Sequence, residues 1–395
     1  MALTVTETLE QRGVVLSPEQ GSALFAIGDT LKTRNGFLDI GGYAGTGKTT
    51  ILSCVRVVFE GSVAYCAFTG KAASVLRQKL AARNAIRSQD YVGTIHSLIY
   101  HPDTDAKGKL IWWKKNAEDV PYDAFIVDEA SMLPERIFRD LQSYERPIIV
   151  VGDHGQLPPI NSDGFNLMAD PRIKLETIHR QAEGHPIIKV SMLARLRGHI
   201  PVGVHGEGVR KVTDPKILYT IKDYHHVLVL CGRNQTRVAM NRLIREELGM
   251  KSTSIVGPQD QPIVGDKVIC LKNRWDEGLY NGLTGVLQSL SEEPKDPESY
   301  RATIELESGA CYDGLIRKDQ FGMAARNPSM EVDFERAFFD FGYCLTVHKA
   351  QGSEAPNVVV IEERFRQMSD DDWRRWLYTA TTRAQEKLLI IGSER

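Results

Sequence analysis

The chain has 395 residues, 42% of them hydrophobic and 25% charged, with a formal net charge of −2 at pH 7. That is length enough for two or three compact units, each with its own core, and the charge gives no bulk electrostatic reason to expect a nucleic-acid partner. The first residues, MALTVTETLEQRG, are too polar and acidic for a secretory signal, and no apolar run approaches the ~18 residues of a membrane helix. Cysteines 54, 66, 231, 270, 311 and 344 are scattered, with no CxxC pair and no zinc-type Cys/His spacing, so a reduced cytoplasmic protein is expected.

In chain order, short apolar runs alternate with longer helical patterns, as in βαβ units around a parallel sheet. Core strands are predicted at 37–40, 63–68, 125–127 and 148–151, with helices over 48–60 and 71–83. Residues 97–119 interrupt this pattern with Pro102-Asp103, Lys107-Gly108 and the cluster Leu110-Ile111-Trp112-Trp113, and predict an inserted β-hairpin. Strands at 226–231, 343–346, 358–361 and 388–391, with helices near 236–248 and 371–381, make a second α/β half. Between about 251 and 336 the runs 267–272, 285–290 and 302–306 are separated by Asn281-Gly282, Glu293-Pro294 and Asp296-Pro297, the pattern of a small antiparallel module. From 71 to 115 there are nine Lys/Arg against three Asp, which fits a phosphate-attracting groove and fits a solvated basic surface equally.

Gly42-Tyr43-Ala44-Gly45-Thr46-Gly47-Lys48-Thr49 fits G-x4-G-K-[ST] between a strand and a helix. Its glycines let backbone N–H groups close on phosphate oxygens at a helix N-terminus. Lys48 would reach the β- and γ-phosphates of ATP, and Thr49 would ligate Mg2+. A second apolar strand ends in Asp128-Glu129, one carboxylate for the metal and one to polarise the attacking water. Gln156, in Gly152-Asp153-His154-Gly155-Gln156, suits a contact to the γ-phosphate or its water. Arg180 and Arg383 are candidates for the cation at the transferring phosphoryl group.

Together these segments resemble the superfamily 1B helicases, the RecD-like and Dda-like branch, in order over nearly the whole chain. Gln20 matches the glutamine that reads adenine. Residues 42–49 match motif I, 68–73 motif Ia, 93–97 motif Ib, 128–131 motif II, 152–156 motif III, and the segment ending at Arg180 motif IV. Thr346-Val347-His348-Lys349-Ala350-Gln351-Gly352-Ser353-Glu354 matches motif V and 378–384 motif VI.

The resemblance implies an α/β fold of two RecA-like P-loop domains with ATP between them and single-stranded DNA across both. The first domain would span 1–175, with a hairpin subdomain 1B at 97–119. The second would span 176–250 and 337–395, with an SH3-like module 2B at 251–336. Beyond 42–49, the resemblance puts Thr50, Gly352 and Glu354 at the nucleotide. It puts Phe68, Thr69, Lys71, Thr94, His96, Thr346 and His348 at the strand. Thr hydroxyls and backbone N–H groups grip phosphates without reading sequence, and Phe68, Tyr91, Trp112, Trp113 and Trp275 are candidates for base stacking. Trp112 and Trp113 either cap the last base pair or anchor the hairpin to its own domain.

The expected activity is ATP-dependent 5′-to-3′ movement with duplex unwinding. Displacement of proteins from single strands, and an ATP-gated loader, remain as alternatives. A monomer is expected, without the N-terminal domain of partner-bound RecD subunits. Single-stranded DNA and its duplex junctions are the expected partners, with replication or recombination proteins besides and no membrane.

Overall fold

The computed structural model describes residues 7–9, 13–104, 110–159, 165–178, 184–250, 261–274, 277–325, 327–331, 333 and 335–394. The chain divides into two compact units, Met1–Asp103 with Ile111–Ile188, and Thr104–Leu110 with Lys189–Arg395.

The strands of the first unit are β1 (Phe37–Gly42), β2 (Val63–Ala67), β3 (Tyr91–Thr94), β4 (Tyr100–Thr104), β5 (Leu110–Lys114), β6 (Ala124–Asp128), β7 (Ile148–Gly152) and β8 (Ile173–Leu175). Its main sheet has the order β3-β2-β6-β7-β1-β8, and every pairing in it is parallel. Parallel strands are covered on both faces, which is why β2 and β7 are apolar and buried throughout. Side-chain alternation divides the core. Tyr65, Ile126, Ile149 and Val151 pack with α1 (Pro18–Leu31), α2 (Lys48–Val58) and α3 (Gly70–Ala81). Cys66, Val127, Ile148 and Val150 pack with α4 (Ile95–Ile99) and α5 (Glu135–Gln142) on the other face. Each fully buried aliphatic side chain contributes about 1.5–3 kcal/mol, and this two-sided core holds the strand ends in register. Where the sequence predicts the inserted hairpin, β4 and β5 form a two-stranded sheet.

α6 (Pro186–Arg197) runs from the first unit into the second, which continues with β9 (Gly203–Gly206), β10 (Val209–Val212), β11 (Val227–Cys231) and α7 (Asn234–Glu247). β12 (Lys267–Cys270), β13 (Thr284–Glu292), β14 (Ser299–Leu306), β15 (Cys311–Arg317) and β16 (Phe339–Phe341) follow, then β17 (Cys344–Thr346), β18 (Ala355–Ile361), α8 (Asp370–Thr381) and β19 (Ala384–Ile391). One sheet runs β17-β11-β18-β19-β10-β9, parallel except for the β9–β10 pair. The other, β15-β14-β13-β12-β16, is antiparallel.

The antiparallel module and the parallel sheet share one hydrophobic core, in which Ile244 and Val229 meet Val268 and Phe341. Two buried ion pairs clamp α7 to the module. Arg237 meets Asp340 at 2.6 Å, and Arg245 meets Asp266 at 2.8 Å. The module takes β16 from beyond residue 336, and only Gly342 and Tyr343 separate it from β17. β8, α6, β9, β10 and β15 are not among the elements predicted from the sequence. β8 has three residues, and β9 and β10 are short strands among Gly203, Gly206 and Gly208, all at positive φ, so neither carries a run long enough to stand out.

Candidate active site

The P-loop leaves β1 through Gly41 and Gly42 and turns into α2 with Gly45 and Gly47 at φ +82° and +80°. Those left-handed values strain a residue with a Cβ, and glycine adopts them freely. At Gly42 the constraint is space, since an added Cβ would lie 2.6 Å from Thr46 Oγ1. Thr46 is fully buried, and its hydroxyl donates to Tyr43 O at 2.8 Å, closing the loop from inside. Lys48 Nζ donates to Gly42 O at 2.7 Å and to Tyr43 O at 3.0 Å, so the ammonium lies folded inside the phosphate cradle. Gln20 is 2% exposed; its Nε2 donates to Thr46 O at 3.0 Å, and its Oε1 accepts Ser17 N in the capping box of α1. It therefore braces the loop as well as standing beside it. The Thr50 hydroxyl accepts Arg83 Nη1 at 3.0 Å.

Register places the other polar groups at the same end of the sheet. Gly41 pairs with Gly152 across β1 and β7, Ala67 with Asp128 across β2 and β6, and Ala67 with Thr94 across β2 and β3. Glu129 follows in the left-handed region at φ +53°, a conformation that costs a residue with a side chain roughly 1–2 kcal/mol. Its N–H donates to Asp128 Oδ1 at 2.9 Å. In the loop after β7, Asp153 is 1% exposed and accepts Gly155 N at 2.9 Å and Gln156 Nε2 at 3.4 Å, 3.9 Å from Lys48 Nζ. Asp153 carries no role in the reading of the sequence above. The signal for it is an acid between a strand-ending glycine and a tight turn. His154 packs against Tyr43 with the rings tilted by 48° and their centroids 4.2 Å apart. Glu19, also passed over, accepts Glu176 N, Thr177 N and Thr177 Oγ1 at 2.8–3.1 Å, tying α1 to the segment that leads toward Arg180. Arg180 and Trp275 themselves lie outside the described residues.

Residues 15–213 match the family described as "AAA domain", and 341–391 match "UvrD-like helicase C-terminal domain". The chain belongs to the RecD/Pif1-like branch of the superfamily 1B helicases. It is 29% identical to the ATP-dependent RecD2 DNA helicase of Deinococcus radiodurans over 96% of this chain and 49% of that protein. It is 24% identical to the RecBCD enzyme subunit RecD of Mycolicibacterium smegmatis over 89% of this chain and 68% of that one. The chain thus spans about half the length of the RecD2 relative. In fold it matches the Bacteroides Pif1 helicase solved with ADP-AlF3 and single-stranded DNA, at a TM-score of 0.59 and 17% identity over 96% of this chain and 94% of that one. In this branch the P-loop is the nucleotide-binding element, and the α/β fold with its parallel sheet is as the sequence predicts.

The helicase motifs beyond the P-loop continue along the same rim of the first unit. Thr69 caps α3 by accepting Ala72 N, and Thr94 caps α4 by accepting Ser97 N, each at 3.2 Å. Thr94 is 3% exposed, and its hydroxyl also meets Ser97 Oγ at 2.7 Å. Lys71, in the first turn of α3, is half-buried. His96 lies between Phe68 at 5.7 Å and Trp112 at 5.9 Å, with Tyr100 at 5.6 Å, and burial pushes its imidazole pKa down. Tyr91 donates to Thr94 O at 3.1 Å and meets Ser97 Oγ at 2.8 Å, which ties its ring to the loop.

The two tryptophans separate. Trp112 packs against the buried core, whereas Trp113 is 60% exposed, with Nε1 donating to Asp103 at 3.2 Å. In the second unit Thr346 ends β17, and His348 is largely buried with its pKa lowered by desolvation. Gly352 turns at φ +74°, and exposed Glu354 accepts Gln385 Nε2 at 2.9 Å. Arg383 is 3% exposed and donates to Thr379 O, Ser353 O and Thr382 Oγ1 at 3.0–3.2 Å, linking the end of α8 to the motif V turn. Among the described residues no helix is long and apolar enough to cross a membrane.

The donor set fits Mg2+. A hydroxyl at Thr49 and a carboxylate at Asp128 are hard oxygen donors of the kind Mg2+ takes, and they would leave the remaining positions to water and phosphate oxygens. No cluster of three or more His, Cys, Asp or Glu suited to a metal occurs among the described residues.

Proposed function

We propose that the chain is an ATP-dependent DNA helicase that moves 5′ to 3′ along a single strand and opens the duplex ahead of it. One observation carries this reading. In the first unit each motif follows the carboxyl end of a parallel strand: the P-loop after β1, Phe68 and Thr69 after β2, Thr94 and His96 at and after β3, Asp128 and Glu129 at and after β6, and Asp153 with Gln156 after β7. Ligands bind at that end of open α/β sheets. Nucleotide chemistry at β1, β6 and β7 adjoins phosphate-gripping threonines and stacking rings at β2 and β3, so a change at one half of the rim is felt at the other.

In this reading Lys48, with residues 42, 44–47, 49 and 50, binds the phosphates of ATP, and Gln20 reads the base. Thr49 and Asp128 hold Mg2+. Glu129 polarises the attacking water and Gln156 senses the γ-phosphate. Arg180 and Arg383 supply cationic charge to it, with Gly352 and Glu354 nearby. Phe68, Thr69, Lys71, Thr94, His96, Thr346 and His348 hold the strand. Residues 97–119 act as subdomain 1B, which splits the duplex, and 251–336 as an SH3-like subdomain 2B.

ATP hydrolysis measured with and without single-stranded DNA or RNA, followed by unwinding of duplexes bearing a 5′ or a 3′ tail, tests the proposal. DNA-stimulated turnover and unwinding from the 5′ tail are expected. Hydrolysis indifferent to DNA would reject the motor, and unwinding only from a 3′ tail would reject the polarity.

A further inference from the structure

The second unit has a cleft of about 600 Å³ at the end of its parallel sheet opposite Thr346. Its floor is two adjacent transverse rows of the sheet: in one Val227 pairs with Asn357 and Asn357 with Lys387, and in the next Leu388 pairs with both Val358 and Val209. Thr346 pairs with Cys231, four residues further along β11, which puts the strand-binding loop about 13 Å away at the other end. The cleft is therefore separate from the rim that carries the helicase motifs.

Two features of its walls point to an occupant. Val204 is 82% exposed on β9, the terminal strand of the sheet, and half-buried Ile221 and Leu389 continue the apolar surface inward. Arg210, Lys222 and Lys387 line the cleft with exposed cationic heads, and none of these side chains has an ion pair or hydrogen bond among the described residues. The single acid in the lining, Asp223, already caps a short helical turn by accepting His225 N at 3.1 Å and faces His226 at 3.7 Å. Three positive charges against a single carboxylate thus surround an apolar slot.

We propose that this cleft docks an acidic peptide segment of a partner protein, with an apolar side chain in the slot between Ile221 and Leu389 and carboxylates on Arg210, Lys222 and Lys387. Charge complementarity of this kind gives specificity and speeds encounter, while the apolar anchor slows release. A nucleic-acid strand fits less well, because no aromatic side chain lines the cleft to stack a base.

The test uses the full chain and a short fluorescein-labelled peptide of alternating Glu and Leu, followed by fluorescence anisotropy at increasing salt. Saturable binding that weakens with salt is expected. The double variant Lys222→Glu, Lys387→Glu should bind roughly tenfold more weakly. Val204→Asp, a change at an exposed position, should weaken binding at constant net charge of the peptide. Both variants should keep wild-type DNA-stimulated ATP hydrolysis, a readout that is independent of the docking reading. Equal affinity for a Glu–Ser peptide would overturn the apolar anchor, and unchanged affinity in the double variant would overturn the site. Loss of single-stranded DNA affinity in that variant would reassign the cleft to nucleic acid.

Discussion

Trp112 and Trp113 are adjacent in sequence, yet the structure gives them different work, and alanine at each position should separate stability from strand separation. Trp112 makes edge contacts to His96 at 5.9 Å and Tyr100 at 6.3 Å. Each such ring pair is worth about 0.5–1.5 kcal/mol beyond the area it buries. Adding the loss of a half-buried indole, Trp112→Ala should destabilise the chain by about 2–4 kcal/mol, somewhat less than the ~3–5 kcal/mol for truncating a fully buried aromatic. Trp113 is 60% exposed and has one exposed hydrogen bond to Asp103, so Trp113→Ala should change stability by no more than about 0.5 kcal/mol. If the Trp113 ring replaces stacking lost at the opening base pair, about 1–3 kcal/mol, its removal should slow unwinding by about 5- to 150-fold. Urea unfolding measures the first pair of effects. Single-turnover unwinding of a 5′-tailed duplex, with strand-stimulated ATP hydrolysis alongside, measures the second. A Trp113→Ala protein that unwinds at the wild-type rate would refute the wedge, and a Trp112→Ala protein of wild-type stability would refute the anchor.

Lys48→Ala should abolish hydrolysis. Glu129→Gln, which keeps the left-handed backbone and the shape of the side chain, should bind ATP and stop turnover; near wild-type hydrolysis in that variant would remove Glu129 from the role of base. Gln20→Ala takes away both the bond to Thr46 O and the capping-box bond from Ser17 N, so a loss of about 1–3 kcal/mol in stability is expected together with a raised KM for ATP. Arg383→Ala leaves three acceptors of the motif V and VI turns without their buried donor. A drop in thermal stability should therefore accompany the loss of turnover, and a fall in hydrolysis at unchanged melting temperature would mean that its bonds to Ser353 and Thr379 contribute little. Burial lowers the pKa of His96, so the unfolded chain binds more protons than the folded one just below the ordinary imidazole value, and stability should fall as pH drops below about 6.5. Comparing the pH dependence of unfolding in His96→Gln with the wild type checks this, since the variant should lose part of that slope.

Much of the site is legible in the chain because its chemistry is local. A P-loop needs glycines at fixed offsets to turn the backbone, and Asp128-Glu129 announces itself by ending an apolar strand. Periodicity likewise shows the alternation of strands and helices, because strands buried on both faces leave continuous apolar runs. Non-local information is missing from such patterns. That Asp153 faces Lys48, that Gln20 braces Thr46, and that Glu19 holds the backbone at 176–177 all depend on which strands lie side by side in the β3-β2-β6-β7-β1-β8 order. Trp112 and Trp113 cannot be told apart in sequence, because burial is decided by what packs against each ring. The cleft beside β9 arises in the same way. Lys387 is far along the chain from Arg210 and Lys222, and only the pairing of β10 with β19 brings it to the same apolar slot.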